Sequence, residues 1–239
     1  MSDAVPCVIL LTHTPNPVET CVTAARICYS GLPFEALREK VSSEDQSAFL
    51  RGVIRSGHLS VLEHASFTFY VEGVSRALLA QLTRHRVASF SVQSQRYVSL
   101  KEGFDAVIPP RIEAMGEEAA QKYRDQMRQM ADWYAEWQEA FAGDPGANED
   151  ARFVLPNACA TRLVMTMNVR ELLHFFSLRC CERAQWEIRA MATEMLHQCK
   201  AVAPILFESA GPACVRGACS EGSRSCGRAA EIREKFQNL

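Results

Sequence analysis

No apolar stretch of the sequence approaches the roughly 20 residues that a membrane-spanning helix needs. The apolar run at residues 5–11 is short, follows Asp3 and has no basic flank, so we expect no signal peptide. Internal repeats and low-complexity linkers are also missing, and charge of neither sign dominates, since the net charge is −2 and the pI about 6.3. The sequence therefore predicts a cytoplasmic protein with neither a membrane nor nucleic acid as a partner.

What is present is the composition of an ordinary globular protein, 48% hydrophobic and 23% charged, in a chain of 239 residues. A chain of this length buries a substantial core and needs neither a metal ion nor disulfides to fold. Because no secretion signal is expected, the ten cysteines are interpreted as reduced thiols.

Three of the cysteines lie in residues 211–239, a C-terminal segment rich in Cys, Gly and Ser. Their spacings contain no C-x2-C pair, which makes them a weak signal for zinc. A fourth ligand would have to come from His197 or Cys199, and we favour a loose reduced tail and assign no metal site. The three cysteines are Cys214, Cys219 and Cys226.

Hydrophobic periodicity predicts an α/β (α+β) protein with a mixed sheet core and a majority of helices. Strands are predicted at three short runs rich in apolar, aromatic or β-branched residues, namely residues 8–11, 66–71 (ended by Gly73) and 162–167. Helices are predicted from apolar residues at three- and four-residue steps, from Val18 onward, at residues 74–82, near 114–141 and at 186–202.

Capping patterns predict two helix starts, Ser43 with Gln46 three residues later and Asn168 with Glu171. The long helix near residues 114–141 has an aromatic and apolar face, which is more typical of a core or a subunit interface than of a cofactor site.

The segment from Gly73 to Lys101 contains no Asp or Glu, although the whole protein is slightly acidic. Arginine presents several donors in a planar fork that matches phosphate and carboxylate oxygens. We expect the preceding helix to end near Arg84 and residues 84–96 to form an irregular loop, where binding residues concentrate. Composition alone leaves an anion-binding loop and an ordinary solvated basic loop equally open.

The order of residues in this segment is more specific than its composition. Residues 84–97 read RHR, seven further residues, Ser94, Gln95 and then RY, which resembles the RHR-x7-S…RY signature of flavin-dependent thymidylate synthases. Other elements similar to that family follow its order, namely GHLSVLEH at 57–64, ARFVLP at 151–156, NVRE at 168–171 and LRCCERAQWEI at 178–188. The resemblance runs from the N-terminal strand to Phe207, and several ordered matches are more specific than one motif.

The resemblance implies an enzyme that makes dTMP from dUMP, with FAD as cofactor and with NADPH and methylenetetrahydrofolate as co-substrates. It implies a single catalytic domain over residues 1–210, followed by the tail at 211–239. It also implies a homotetramer in which contacts to FAD and dUMP come from different protomers. The glycine fingerprint of a Rossmann dinucleotide site is absent, and in this family arginines and hydroxyls take its place.

Two residues are implied in the chemistry. A fixed guanidinium at the N3–O4 edge of uracil stabilises the enolate-like ring, and the resemblance gives this role to Arg179, whereas the residue pattern alone favours a salt bridge to Glu182 or Glu187. Ser94 matches the signature serine. Because the sequence identifies no adjacent base, we interpret Ser94 as a donor to the dUMP phosphate and leave a nucleophilic role open.

The resemblance divides the remaining residues between the two ligands. Those implied for FAD are Ser60, Arg84, His85, Arg86, Val92, Asn168, Arg170, His174 and, close by, His58. Those implied for dUMP are Gln81, Arg84, Ser94, Gln95, Arg96, Arg152 and Arg179. Many family members carry Asn-Glu where this chain has Ser91-Val92, so Val92 offers a ligand only its backbone.

Two other functions stay open from the sequence. A general flavin oxidoreductase would use the same FAD pocket without a uracil site. An RNA-binding module would use residues 84–96 with Phe90 and Tyr97 as stacking rings, but such proteins usually have a broad basic face. A flavin spectrum would count against the second, and dUMP-dependent chemistry would eliminate the first.

Overall fold

The computed structural model describes residues 2–239. Its strands are β1 (Cys7–His13), β2 (Ser66–Ser75), β3 (Ala88–Val92) and β4 (Ala160–Asn168). They form one sheet in the order β1-β2-β4-β3, and this sheet is antiparallel rather than mixed as the sequence predicts. Helices predominate, which confirms the predicted mixed α/β class.

The described residues contain twelve α-helices and three short 3₁₀ helices. The α-helices are α1 (Pro17–Ile27), α2 (Phe34–Ser43), α3 (Ser47–Arg55), α4 (Arg76–Leu82), α5 (Pro110–Glu113), α6 (Glu117–Ala140), α7 (Ala147–Ala151), α8 (Val169–Arg179), α9 (Trp186–Val202), α10 (Pro204–Phe207), α11 (Ala213–Arg216) and α12 (Ala229–Gln237). The 3₁₀ helices are Leu59–His64, Arg152–Val154 and Gly222–Arg224. The helices predicted from Val18, at 74–82, near 114–141 and at 186–202 correspond to α1, α4, α6 and α9.

The chain divides into two compact units. The first unit comprises the N-terminal residues through Cys7, Tyr70–Arg84 and Phe90–Val164. The second unit comprises Val8–Phe69, His85–Ser89 and Met165–Leu239. No boundary falls at residue 210, and the assignment of a catalytic domain and a tail stays a prediction.

In the first unit, α6 packs its apolar face into a core. Met127 is buried in a cluster with Phe104, Ala106 and Cys159, and Tyr134 is fully buried. Farther along the same face Trp137 is 49% exposed. The predicted core role of this face is therefore confirmed for its middle part.

In the second unit, phenylalanines from several elements form the core. The ring of Phe207 lies edge-on to Phe67 and to Phe176, at centroid distances of 5.5 and 6.0 Å. Residues 211–239 contribute buried side chains to this unit as well, since Ile232 and Phe236 on α12 are only 4% and 2% exposed. The expectation of a loose tail is wrong, because two apolar residues of α12 at helical spacing are buried.

Strand β2 does not end at Gly73, as the sequence predicts, but continues to Ser75. Gly73 has a φ of +69°, and a Cβ built there would lie 2.0 Å from the carbonyl oxygen of Val5. The glycine therefore permits a close approach of two backbone segments within the first unit rather than a break.

The basic segment is also more regular than predicted. Residues 84–96 are not one irregular loop, because β3 lies within them. The sequence contains a strand signal here, because the apolar residues Ala88, Phe90 and Val92 alternate with Ser89 and Ser91. In the structure the three apolar residues are half-buried and the two serines are exposed.

The predicted helix start at Ser43 is wrong, because Ser43 is the last residue of α2. Helix α3 begins at Ser47, whose N–H donates to the Asp45 carboxylate at 2.9 Å. The Gln46 side chain accepts from Arg26 at 2.8 and 2.6 Å, so its oxygen is used to join α1 to this turn.

Among residues 2–239, no helix combines the length and the apolar character that crossing a bilayer requires.

Candidate functional site

Helix α8 and its N-cap carry half of the polar residues assigned within the second unit. Its N-cap Asn168 accepts a hydrogen bond from the backbone N–H of Glu171 at 2.9 Å, which confirms the predicted cap. Glu171 and His174 follow three residues apart, on one side of the helix. Arg179 is the last residue of α8, where the free backbone carbonyls favour a cation.

His85 lies between Glu171 and Arg179. Its Nδ1 is 3.0 Å from Glu171 Oε1, and the Arg179 Nε–H donates to its Nε2 at 3.0 Å. Because a guanidinium can only donate, Nε2 must be the unprotonated nitrogen. Nδ1 therefore carries the proton and donates it to Glu171, and His85 is a neutral Nδ1–H imidazole with both nitrogens engaged.

The surroundings of His85 favour its neutral form. The residue is 5% exposed, and the Phe175 ring lies edge-on at a centroid distance of 4.9 Å. Burial lowers the pKa of His85 below its ordinary value of 6.5; Arg179 and His174 lower it further, while the hydrogen bond and charge of Glu171 oppose the shift. The neutral form that Arg179 requires is thus the form that burial favours.

Arg179 is not held by Glu182, one of the two carboxylates considered as its partner. Glu182 instead pairs with Arg189 at 3.0 Å and with Arg228 at 2.5 Å. The side chain of Arg179 is half-buried and directed to His85.

A cleft of about 490 Å³ opens along α8 in the second unit. Three residues implied for FAD line it, namely Asn168, Arg170 and His174. Arg216 of α11 also lines it. The sequence does not indicate Arg216, because the family motifs end before residues 211–239.

The residues of this cleft fit a dinucleotide. Arg170 pairs with Glu63 through one nitrogen and keeps other N–H donors for an anion. Arg216 supplies a second guanidinium, while Leu59 and Val87 give apolar surface. A cleft of this size with cationic donors and apolar walls suits the pyrophosphate and part of the rings of FAD.

The other residues implied for FAD do not line this cleft. His58 and Ser60 are exposed at the start of the 3₁₀ helix Leu59–His64, and Arg86 is exposed between α4 and β3. Arg84 and Val92 belong to the first unit. Their roles toward FAD stay predictions.

In the first unit, two arginines implied for dUMP converge on Glu149. Arg96 Nε donates to Glu149 Oε2 at 2.8 Å, and Arg152 Nε donates to the Glu149 backbone oxygen at 3.0 Å. Ser94 Oγ accepts from the backbone N–H of Arg96 at 3.1 Å. Within residues 2–239, no His or carboxylate is hydrogen-bonded to Ser94 Oγ, an arrangement that suits a hydroxyl donor better than a nucleophile.

A further guanidinium lies nearby in the first unit. Arg76 donates from Nη2 to the Gln93 backbone oxygen at 2.8 Å, and its Nε is buried without a partner. Burial lowers the pKa of Arg76, and the charge of Arg152 lowers it as well. Arg76 thus adds a third guanidinium to the part of the first unit that holds Arg96 and Arg152.

Two glutamines complete the set implied for dUMP. Gln95 Nε2 donates to Cys159 Sγ at 3.8 Å. Gln81 is half-buried on α4. Both belong to the first unit, and their contacts with dUMP stay predictions.

His85, Glu171 and His174 are also the one group within residues 2–239 whose metal-ligand atoms lie within 4.8 Å of one another. Because the Arg179 guanidinium already donates to His85, a cation there would meet a fixed positive charge, and we assign no metal to the group. Cys214, Cys219 and Cys226 form no such group within the same residues. All ten cysteines are free thiols.

Comparison with known proteins gives a consistent result. The family described as "Thymidylate synthase complementing protein" matches residues 9–205. A flavin-dependent thymidylate synthase of Geobacter sulfurreducens is 52% identical, over 97% of this chain and 98% of the relative. Proteins of the same name from Clostridium tetani and Pyrococcus furiosus are 47% and 42% identical, over 95% and 90% of this chain and 95% and 89% of their own lengths.

Proposed function

Since this chain belongs to the flavin-dependent thymidylate synthase family, we propose that it methylates dUMP reductively to dTMP. Methylenetetrahydrofolate donates the one-carbon unit, and NADPH donates the hydride. The products are dTMP, tetrahydrofolate and NADP⁺, with one proton taken up. FAD, when bound, would supply the hydride-transfer chemistry of the reaction.

The contact between Arg179 and His85 carries the proposal. The 5-carbon of uracil is a poor nucleophile until negative charge enters the ring. A guanidinium held in place at the N3–O4 edge stabilises that charge without having to reorganise. The hydrogen bond from Arg179 Nε to a buried neutral imidazole at 3.0 Å supports such a fixed position.

The arginines of the first unit support binding of the nucleotide phosphate. Arg96 and Arg152 present forked donors, and Ser94 adds a hydroxyl to the same region. In this proposal Ser94 is a phosphate ligand. Arg84, Gln81 and Gln95 complete the dUMP contacts.

The cleft along α8 supports the FAD site. Arg170, Asn168 and His174 all line this cleft; Arg170 would hold the pyrophosphate, and Asn168 and His174 would bond ring or ribose edges. We further propose a homotetramer with FAD and dUMP contacts from different protomers. The exposed Trp137, stacked on Phe141 at 5.6 Å, supports burial of that face in an assembly.

The first test is to record the visible spectrum of the purified protein and look for bound flavin. Anaerobic oxidation of its reduced FAD is then followed with dUMP and methylenetetrahydrofolate, and dTMP is assayed. Oxidation that requires both substrates and yields an equal amount of dTMP is expected. A flavin spectrum without dTMP would instead indicate a general oxidoreductase, and no flavin binding would contradict the whole assignment.

A further inference from the structure

We propose that Glu171 is a positioning residue, which orients Arg179 by fixing the tautomer of His85. This inference rests on the proposed role of Arg179 in activating uracil. It gives His85 a function through Arg179, distinct from the FAD contact that sequence resemblance implies. The sequence pattern gives Glu171 itself only a capping role.

The three side chains form an ordered chain of hydrogen bonds in the second unit. Glu171 is 9% exposed, and its backbone N–H is held by the Asn168 side chain at 2.9 Å. Its carboxylate meets His85 Nδ1 at 3.0 Å, and His85 Nε2 meets Arg179 Nε at 3.0 Å. Each of these hydrogen bonds therefore involves a residue that another hydrogen bond already holds in place.

The chemistry of imidazole gives the carboxylate a role in selecting the tautomer. A neutral histidine has two tautomers, and only the Nδ1–H tautomer leaves a lone pair on Nε2 for Arg179. The other tautomer would direct an N–H at the guanidinium, which has donors only. Glu171, an acceptor when ionised, selects the tautomer that Arg179 needs.

A purely local role for Glu171 does not account for its geometry. In a reciprocal capping box the carboxylate would turn back to the N-cap backbone N–H. Here the cap is made by Asn168 alone, and the Glu171 carboxylate reaches His85, 86 residues away in the sequence. His174 does not replace it, because its exposed ring lies 5.9 Å from His85 between centroids.

Matched variants of one position test the proposal. Glu171→Leu removes the acceptor at similar volume, whereas Glu171→Gln keeps a carbonyl oxygen that can accept from Nδ1. Glu136→Leu, an exposed residue of α6, controls for the loss of a carboxylate. All are measured for FAD binding, for the kcat and KM of dTMP formation and for the nitrogen-15 shifts of His85, assigned by comparison with His85→Gln.

Glu171→Leu should lower kcat by about tenfold to a hundredfold, the effect of misplacing a catalytic group by ~1 Å, while FAD binding stays within twofold. Glu171→Gln should recover most of that loss, and Glu136→Leu should match the wild type. In wild-type protein, the nitrogen shifts should show a neutral Nδ1–H His85. In Glu171→Leu they should show a larger share of the Nε2–H form.

A wild-type His85 that is protonated, or that carries its proton on Nε2, would overturn the proposal. So would a normal kcat in Glu171→Leu, or equal losses in the Leu and Gln variants. The shifts need no turnover. If the wild-type protein makes no dTMP, the proposed function fails, and the shifts still test whether Glu171 fixes the tautomer.

Discussion

Replacing Gly73 by alanine should destabilise the protein strongly, because the backbone at this position leaves no room for a side chain. The φ of +69° alone costs an L-residue about 1–2 kcal/mol. The added Cβ would lie 2.0 Å from the Val5 carbonyl oxygen, 2.5 Å from its carbonyl carbon and 3.0 Å from Pro6 Cα. These are backbone atoms, so the N-terminal segment has to move away, at a further cost of about 1–3 kcal/mol.

Gly52 provides a matched control for the same chemical change. It lies inside α3, and a Cβ added there meets nothing within 4 Å. Alanine is better than glycine in a helix interior by about 0.5–1 kcal/mol, so Gly52→Ala should stabilise the protein.

Thermal unfolding at one fixed protomer concentration measures both variants. For a chain of this size 1 kcal/mol corresponds to a shift in Tm of about 2–4 °C. Gly73→Ala should therefore lower Tm by roughly 4–20 °C, and Gly52→Ala should raise it by about 1–4 °C. A Gly73→Ala protein with the Tm of the wild type would refute the close approach to Val5.

Four further predictions concern the candidate site. Arg179→Ala should retain FAD and fold but lose about a hundredfold or more in kcat, as on loss of one preorganised donor; near-normal dTMP turnover would refute the role of Arg179. Glu149→Gln should tighten dUMP binding about two- to fivefold in calorimetry, since the carboxylate no longer competes for Arg96; weaker binding would contradict this. Asn168→Ala should cost about 1 kcal/mol in unfolding of the flavin-free protein, and Asn168→Asp should not. Because the pKa of folded His85 lies below 6.5, the unfolded chain binds more protons between the two values, and stability falls as pH drops through that window. His85→Asn should therefore show a smaller fall in Tm between pH 7.5 and 5.5, and an unchanged fall would contradict the lowered pKa.

The elements that sequence reasoning located are those whose signals are local. The three- and four-residue steps of α6 and the cap at Asn168 each depend on residues within a few positions, and both were correctly placed. Gly73 shows the limit of such reasoning. A glycine in a strand signals either an end or a close approach, and the partner Val5 lies far away in the sequence.

The residues of the candidate site show the same difference between local signals and long-range contacts. Ordered motifs indicate Arg179, Arg96 and Arg152 by resemblance. The hydrogen-bond partners of these arginines could not be predicted from the motifs. Glu171 fitted a capping pattern, and only the fold shows that its carboxylate reaches His85.

Helix α8 joins two parts of the proposed chemistry in one rigid element. Arg170 lies in its first turn, where the backbone N–H groups favour anions, and Arg179 ends it, where the carbonyls favour a cation. Nine residues at 1.5 Å each separate them by about 14 Å along the axis. The flavin contact and the uracil contact on this helix are therefore fixed relative to each other by backbone geometry. In the proposed arrangement, Glu171 and His85 help to hold the long Arg179 side chain in the rotamer that this spacing requires.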